Sequence, residues 1–290
     1  MQKIITLFLC LFMLGACAKP TQVKRPVFTL DTFPKVDGST VTIPFSEALC
    51  AKLSDSTLES CRTTIYHNKT HQAYLNLIMK NVDLIFVTSP SKEELAFAAS
   101  NLVELEVIPF TSEAFIFMMQ ADNPVESLTL TQIQKIYSGE IKNWNEVGGN
   151  DLPIIAYQRP VNSGSQTGFL ELVMKGKTPI SAPTEQIVAE MGELVDKIAG
   201  YQNKASALGY SYYYFVTDMW KNTNVKLLKV NGVFPDKTTI SSGQYPITTA
   251  YYAVIRKDEA KNSDIRKVIA WILSPDGQRL VEDAGYVKTK

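Results

Sequence analysis

The chain has 290 residues, and its 29 Lys and Arg are balanced by 29 Asp and Glu, so its formal net charge is zero. This balance excludes the strongly basic surface of a typical nucleic-acid-binding protein, and we expect no nucleic-acid partner. Hydrophobic residues make up 45% and charged residues 20% of the chain, which are ordinary globular values. The length exceeds that of one small core and favours two α/β lobes.

Residues 1–17 have the pattern of an export signal. One positive charge, Lys3, precedes the apolar run IITLFLCLFMLGA, which is too short for a membrane-spanning helix. The run ends in LGAC, which resembles a bacterial lipobox and implies cleavage before Cys17 and an acyl chain such as palmitate on its sulfur. The alternative is an ordinary signal peptide followed by an unrelated cysteine. Residues 18–29 are polar and contain proline, as expected of a tether.

Export decides how the cysteines are interpreted. Cys10 leaves with the signal and Cys17 receives the lipid, so Cys50 and Cys61 remain. An even pair in an oxidising compartment predicts a disulfide that closes a short loop. Two free buried thiols are the alternative. No Cys and His spacing resembles a zinc site, and we expect neither a metal nor a cofactor.

Strand-like and helix-like segments alternate along the rest of the chain. In order, TVTIPFSEALCAKL begins extended and becomes helical, KTHQAYLNLIMKN is a helix, VDLIFVT is a buried strand, and SKEELAFAAS is a helix capped by Ser91. VELEVIPF and AFIFMMQ are strands, TLTQIQKIYSG is a helix that stops at Gly139, LPIIAYQR is a strand, and SQTGFLELVMKG is the helix after it. ALGYSYYYFV, VKLLKV and TAYYAVIRK are strands, and SDIRKVIAWILSPDGQRLVEDAG forms one or two closing helices. The alternation predicts an α/β architecture with largely parallel sheets.

The stretch RPVNSGSQTGF has the composition of an anion site. A strand ends near Arg159, and the loop leads into a helix whose first N–H groups have no partner within the helix. Gly164 lets the backbone approach a ligand, Ser163 and Ser165 add hydroxyl donors, and the arginine fork suits an oxyanion. The alternative is a capped helix beside a solvated arginine.

Two further segments place hydroxyl groups at helix starts. DGSTVTIP, residues 37–44, precedes the first helix, and Thr70 lies at the start of the helix in HNKTHQAYL. Three such helix starts are more informative than one, because several helix dipoles converging on one point favour a negative ligand.

The segment QIQKIYSGEIKNWNEVGGNDLPIIAYQRPVNSGSQTGF resembles the second lobe of the phosphate-binding proteins that serve phosphate ABC transporters. DGSTVTIP is similar to the first ligand loop of that family, GQYPITTAYYAVI to the segment that returns to the first lobe, and SPDGQRLVEDAGYVK to its usual C-terminal ending. The resemblance covers nearly all of the chain after the signal. It implies an α/β, two-lobed periplasmic-binding-protein fold of type II, with two crossover strands and an oxyanion held between the lobes.

The resemblance also implies a division of the chain. Residues 30–112 form lobe 1, residues 113–246 form lobe 2, and residues 247–290 return to lobe 1 and supply the closing helices. We expect hinges near Ser112–Glu113 and Pro246–Thr248.

Ligand positions carry over from the family at three loops and at the end of one strand. They are Ser39, Thr40, Val41, Thr70, Thr88, Ser89, Arg159, Ser163, Gly164 and Ser165. The family often has acidic residues where this chain has Thr88 and Val161, and such an acid accepts the proton of hydrogen phosphate. Without it, the site loses its physical means of rejecting sulfate. A backbone carbonyl or Glu113 is the expected substitute.

Other residue patterns favour structural roles. His67 and His71, spaced to share one helix face, are interpreted as a surface pair rather than a metal site, with a supporting role at the anion as the minor alternative. The aromatic run from Tyr210 to Phe215 is interpreted as a buried strand rather than a cleft wall. Ser163 lacks a nucleophile elbow and a base, so we do not expect an enzyme.

The sequence therefore predicts an exported protein, lipid-anchored to a bacterial membrane and facing the periplasm or the cell surface. We expect a monomer that binds inorganic phosphate and delivers it to an ABC permease. The alternative is an envelope sensor or interaction module with the same fold that binds another oxyanion, such as sulfate, or none.

Overall fold

The structure is a computed structural model, and it describes residues 23–200 and 205–289. The predicted signal, the predicted lipid attachment at Cys17 and residues 18–22 of the predicted tether lie outside the described residues. Within the described part of the chain, no helix combines the length and the apolar character needed to span a membrane.

Ten α-helices are found among the described residues. They are α1 (Ile43–Ser54), α2 (Leu58–Arg62), α3 (Lys69–Ile78), α4 (Lys92–Ser100), α5 (Leu130–Tyr137), α6 (Gly164–Gly168), α7 (Met191–Ala199), α8 (Lys237–Ser242), α9 (Asp264–Ile272) and α10 (Pro275–Asp283). Two π-helical segments, Phe169–Met174 and Phe215–Met219, supplement them, and the first continues α6 directly.

The strands of the described residues are short except for one that crosses the molecule. They are β1 (Val36–Gly38), β2 (Leu84–Val87), β3 (Leu105–Pro109), β4 (Thr111–Gln120), β5 (Ser127–Leu128), β6 (Ile155–Ala156), β7 (Ala207–Tyr212), β8 (Val225–Leu227), β9 (Lys229–Val230), β10 (Thr248–Thr249), β11 (Tyr252–Arg256) and β12 (Val287–Lys288).

Two main sheets give the molecule its two halves. The first has the order β1-β2-β11-β3, and the second has the order β10-β4-β7-β6, with β8 and β12 also paired to β4. We call the half built on the first sheet lobe 1 and the half built on the second sheet lobe 2. This two-lobed α/β architecture confirms the predicted fold class.

The chain passes between the two sheets three times; the first two passages are adjacent, and the third leads through α9 and α10 to β12, which pairs with β4. It leaves the first sheet after β3 and enters the second as β4, with Phe110 between them, and it returns between β10 and β11. The first two passages are hydrogen-bonded to each other, since the amide of Phe110 donates to the Tyr251 carbonyl (3.0 Å) and the amide of Tyr251 donates to Thr111 Oγ1 (2.8 Å). The lobe boundaries given above remain predictions.

The prediction of largely parallel sheets is wrong. Among the described strands, β1–β2, β5–β9 and β6–β7 are parallel, and the remaining six pairings are antiparallel. The reason is the crossover: β11 and β4 each enter a sheet from the other lobe and therefore run against their neighbours.

Local sequence signals position the helices as expected. Ser91 caps α4 in a capping box with Glu94, and Thr129 caps α5 in the same way with Gln132. Helices cover the sheets of both lobes. On one face of the first sheet, Tyr74 and Leu77 of α3 pack in a small buried cluster with Ile85 and Val87 of β2.

The disulfide between Cys50 and Cys61 is present, as predicted, and it joins α1 to α2 with a Cα–Cα distance of 5.9 Å. Both residues are fully buried. The aromatic run departs from its predicted strand, because β7 ends at Tyr212 and the backbone is helical at Tyr214 (φ −55°, ψ −41°) before the π-helical segment.

Candidate functional site

A cavity of about 800 Å³ lies between the two lobes. Its lobe 1 wall lies at the ends of β1 and β2. Its lobe 2 wall lies at the loop that leads from β6 into α6. Nine of the ten predicted ligand positions line it: Ser39, Thr40, Val41, Thr70, Thr88, Arg159, Ser163, Gly164 and Ser165. Ser89 is the exception among the ten, since its hydroxyl points to Glu171 Oε2 (3.3 Å) and it does not line the cavity.

The lobe 1 wall is positioned by one buried carboxylate. Asp37 of β1 accepts hydrogen bonds from the Asn68 amide (2.9 Å), which fixes the start of α3, and from Asn76 Nδ2 (2.7 Å) near the end of that helix. This places Thr70, which is 6% exposed, against the cavity. Thr88 follows β2, and its carbonyl accepts from the hydroxyl of Tyr74 (2.8 Å).

The lobe 2 wall is held from beneath by tyrosines of β7. The Arg159 amide donates to Tyr210 Oη and to Gln166 Oε1, each at 3.1 Å, and Tyr210 in turn hydrogen-bonds Gln166. The Tyr212 hydroxyl donates to the Gly164 carbonyl (2.9 Å). These contacts fix the loop that carries the arginine and the start of α6.

The start of α6 carries an N-cap. Ser163 is the N-cap residue, with φ −68° and ψ 140°, and its hydroxyl accepts from the Gln166 amide at 3.2 Å. The helix continues through the π-helical segment to Met174. Its first N–H groups have no acceptor within the helix, and Gly164 and Ser165, which carry two of them, line the cavity.

Four buried side-chain atoms of the cavity wall have no protein hydrogen-bond partner. They are Nε and Nη1 of Arg159, Oγ of Ser165 and Oγ1 of Thr88. Arg159 is only 7% exposed, and burial lowers its pKa from the ordinary value, while the nearby Tyr210, Glu190 and Glu193 act in the opposite direction. Donors buried in this way are costly unless they are satisfied, so the arrangement is suited to an anionic ligand.

The two lobes touch at the start of α6. A Cβ atom added at Gly164 would lie 2.6 Å from Thr70 Oγ1 and still closer to Thr88 Oγ1. Only glycine fits this contact without a shift of one wall. The residue thus brings the α6 backbone within reach of both lobe 1 hydroxyls.

Polar side chains also bridge the lobes around the cavity rim. Lys69 Nζ lies 2.6 Å from Glu190 Oε1, and both side chains are more than half exposed. Asn162 Nδ2 donates to Glu93 Oε2, and the Ser89 hydroxyl donates to Glu171 as described above. These contacts define a closed arrangement of the two lobes.

The expectation that Glu113 substitutes for the acidic acceptor is wrong. Glu113 is 3% exposed but does not line the cavity; its Oε1 accepts from the Ala114 amide (2.8 Å) beside the crossover, so it is not positioned to replace an acidic acceptor. Burial raises its pKa to about 7.

The histidines do not share a helix face. Helix α3 begins at Lys69, whose φ is +68°, so His67 precedes the helix and His71 lies on it. His67 Nε2 contacts Ser46 Oγ (2.9 Å), whereas His71 Nδ1 contacts Glu94 Oε1 (3.0 Å). Among the described residues, no cluster of three metal-ligating side chains is found.

One end of the cavity is apolar, and sequence reasoning missed it. Met191, Phe215, Met219 and Trp220 line this end. Phe215 belongs to the aromatic run that was interpreted as a strand rather than a cleft wall, so that interpretation is wrong for this residue. The other three had no local signal, because they meet only when the start of α7 packs against the second π-helical segment.

Comparison with known proteins gives consistent findings. The model of the PBP superfamily domain matches residues 36–276. The chain is 30% identical over 201 residues to the phosphate-binding protein PstS of Bacillus subtilis, an alignment that covers 68% of this chain and 61% of that protein. It is 25% identical over 262 residues to the phosphate-binding protein PstS of Borreliella burgdorferi, covering 88% and 89% of the two chains.

A solved structure extends the similarity to three dimensions. The crystal structure of a phosphate ABC transporter substrate-binding protein from Clostridium perfringens, with bound phosphate, superimposes with a TM-score of 0.69 at 25% identity. The superposition covers 89% of this chain and 99% of that one.

Proposed function

Since the chain belongs to the PBP superfamily, we propose that it binds inorganic phosphate between its two lobes and delivers it to an ABC permease. The observation that carries the proposal is the set of four buried, unpartnered polar atoms on Arg159, Ser165 and Thr88 at one end of the cavity. The names of the Bacillus, Borreliella and Clostridium relatives support phosphate as the anion.

Capture would proceed through donors that are already in place. The guanidinium of Arg159 supplies a full positive charge in the cavity wall, and the N–H groups at the start of α6 add partial positive charge. Thr88 and Ser165 present hydroxyls that donate to phosphate oxygens. Because the lobes meet at Gly164, an ion held there contacts both lobes at once and favours their closed arrangement.

Discrimination against sulfate needs an acceptor for the proton that phosphate keeps near neutral pH. The carboxylates among the described cavity-lining residues are Glu190 and Glu193, and Glu190 is paired with Lys69. The Thr88 and Ser165 hydroxyls have lone pairs as well as a proton, so each can accept a hydrogen bond from the ion.

This acceptor chemistry also favours a second candidate function. A hydroxyl is a weaker acceptor for that proton than a carboxylate, so sulfate is the competing anion. In the second candidate, the protein is an envelope sensor or interaction module that binds another oxyanion, such as sulfate, or none.

An Arg159→Ala variant tests ligand capture. We expect phosphate affinity to fall about 30-fold or more, because truncating one partner of a buried charge pair costs about 2 kcal/mol or more. Equilibrium dialysis with radiolabelled phosphate measures it, and Arg279→Ala, an exposed arginine paired with Asp276, is the matched control. Unchanged phosphate affinity in Arg159→Ala would refute the proposed site.

Anchoring belongs to the same proposal. The support is the sequence of residues 1–17, which lie outside the described residues. We propose that Cys17 carries the lipid, that the protein acts as an extracytoplasmic monomer, and that residues 18–29 connect the anchor to the lobes. Metabolic labelling with palmitate tests the anchor: Cys17→Ser is expected to lose the label, and a labelled Cys17→Ser chain would contradict the assignment.

A further inference from the structure

The C-terminal residues 284–288 are attached to lobe 2. Their strand, β12, pairs with the start of β4, and Lys237 Nζ of α8 donates to the Gly285 carbonyl (2.9 Å). The Tyr214 hydroxyl donates to the Ala284 carbonyl (2.8 Å), and the rings of Tyr214 and Tyr286 stack with their centroids 3.7 Å apart. Contacts from β4, from α8 and from the segment after β7 therefore hold Tyr286 on lobe 2.

The hydroxyl of Tyr286 reaches across to lobe 1. It donates to the Val41 carbonyl at 2.7 Å, and the residue is only 3% exposed. Val41 belongs to the short helical turn Thr40–Thr42 before α1, and it lines the cavity. The Tyr286 ring also lies edge-on to Phe45 of α1, with the ring centroids 6.2 Å apart. One buried side chain thus connects a ligand loop of lobe 1 to the sheet of lobe 2.

The same group of aromatic rings also holds the facing wall of the cavity. Tyr251, at the second passage between the lobes, has its ring centroid 5.7 Å from that of Tyr286 and 5.6 Å from that of Tyr212. Tyr212 donates its hydroxyl to the Gly164 carbonyl at the start of α6. Two tyrosine hydroxyls therefore each bind one ligand-loop carbonyl, one on each lobe, and their rings meet through the passage that joins the lobes.

We infer that Tyr286 is a positioning residue for anion capture, because it ties the Val41 loop of lobe 1 to lobe 2 and so stabilises the closed arrangement. Tyr286 is not among the residues that line the cavity. Since its ring is held on lobe 2, a rotation that carries lobe 1 away separates the hydroxyl from the Val41 carbonyl. The hydrogen bond therefore belongs to the closed form and opposes release of the ion. The inference rests on the proposed function, because its readout is the release of phosphate.

A chase experiment on the purified chain tests the inference. The chain is loaded with radiolabelled phosphate, chased with unlabelled phosphate and sampled by rapid filtration. Tyr286→Phe keeps the ring and removes only the hydroxyl, so we expect the dissociation rate to rise about fivefold and the association rate to stay within about twofold. Tyr245→Phe is the matched control and should change neither rate, because its buried hydroxyl has no hydrogen-bond partner among the described residues.

The outcomes separate the two proposals. If the unaltered chain binds phosphate and Tyr286→Phe releases it at the rate of Tyr245→Phe, the role of Tyr286 is overturned and phosphate capture stands. This is the result expected of a hydroxyl that serves only the stability of the fold. Slower association with unchanged release also overturns the inference, since the hydroxyl would then act on the open form. No phosphate binding by the unaltered chain overturns both proposals.

A second variant applies if Tyr286→Phe fails to fold. Tyr214→Leu removes the ring that stacks on Tyr286 and so loosens the same connection from the lobe 2 side. It is expected to raise the dissociation rate of phosphate in the same direction, and an unchanged rate in this variant overturns the inference.

Discussion

Arg159 is the residue on which the site depends. Its side chain is buried with two nitrogens unpartnered, and an uncompensated buried charge costs several kcal/mol in a folded protein. Gln166 and Tyr210 accept hydrogen bonds from the backbone amide of Arg159, and these bonds hold the residue at the cavity wall. A bound anion would offset the cost, which is why ligand binding and stability are coupled at this residue.

Glu113 gives a prediction about stability and pH. Burial raises its pKa from 4.5 to about 7, with the Ala114 amide acting in the opposite direction. Between these pH values the folded state holds a proton that the unfolded state has lost, so stability falls as pH rises from 4.5 to 7 and levels off above 7. The contribution is about 3 kcal/mol.

Glu113→Gln removes this titration. The free energy of unfolding is measured by urea titration at several pH values. Between pH 4.5 and pH 7.5 it is expected to fall about 3 kcal/mol less in the variant than in the unaltered chain. Glu185→Gln, at an exposed position, is the control and should follow the unaltered chain. Parallel curves for Glu113→Gln and the unaltered chain would show that the buried carboxyl does not govern this pH dependence.

Helix α6 and its neighbours determine how closely the lobes approach. The start of the helix touches Thr70 on α3 and Thr88 after β2, and the rim contacts Lys69–Glu190 and Asn162–Glu93 surround this point. Exposed ion pairs contribute only about 0–1 kcal/mol each. We therefore assign most of the closure to the backbone contact at α6 and to the anion itself.

Gly164→Ala tests the role of this contact. The added methyl group must displace Thr70 or Thr88, so phosphate affinity is expected to fall at least about tenfold, equivalent to about 1.4 kcal/mol, as measured by equilibrium dialysis. Gly200→Ala is the matched control, because its φ of −63° and ψ of 137° suit alanine. Equal affinities in Gly164→Ala and Gly200→Ala would mean that the lobes need not meet there.

Elements with local signals could be predicted from the sequence, and elements that depend on tertiary contacts could not. Ser91 caps α4 as expected, because a cap is decided within three residues of the chain. The run through Tyr214 was predicted as strand from its composition, yet it turns helical because Tyr214 stacks on Tyr286 and donates to the Ala284 carbonyl, far away in sequence.

The same limit applies to the site. The nine ligand positions that meet in one cavity were carried over from the family through its sequence motifs at helix starts and at the end of β2. The apolar end is assembled from Met191 and Trp220, which are distant in sequence and belong to no motif, and Glu113 was judged by its position near a crossover rather than by its burial.

At the scale of the whole molecule, two adjacent crossovers join the lobes, and β12 adds a third main-chain link. The passages at Phe110 and Tyr251 are hydrogen-bonded to each other, and they are the main-chain links between the first sheet and the second at this point. Small rotations there would open the cavity without disturbing either sheet. In the proposed function, an anion bound at Arg159 would favour the closed form, and a permease would distinguish that form from the open form.

The most direct test of phosphate capture is calorimetric titration of the purified chain, refolded to remove carried-over ligand, with phosphate and separately with sulfate. The account predicts saturable binding of one phosphate per chain, with sulfate binding more weakly because only phosphate keeps a proton that the Thr88 or Ser165 hydroxyl can accept. Sulfate binding that equals or exceeds phosphate binding, or no heat with either anion, would contradict it.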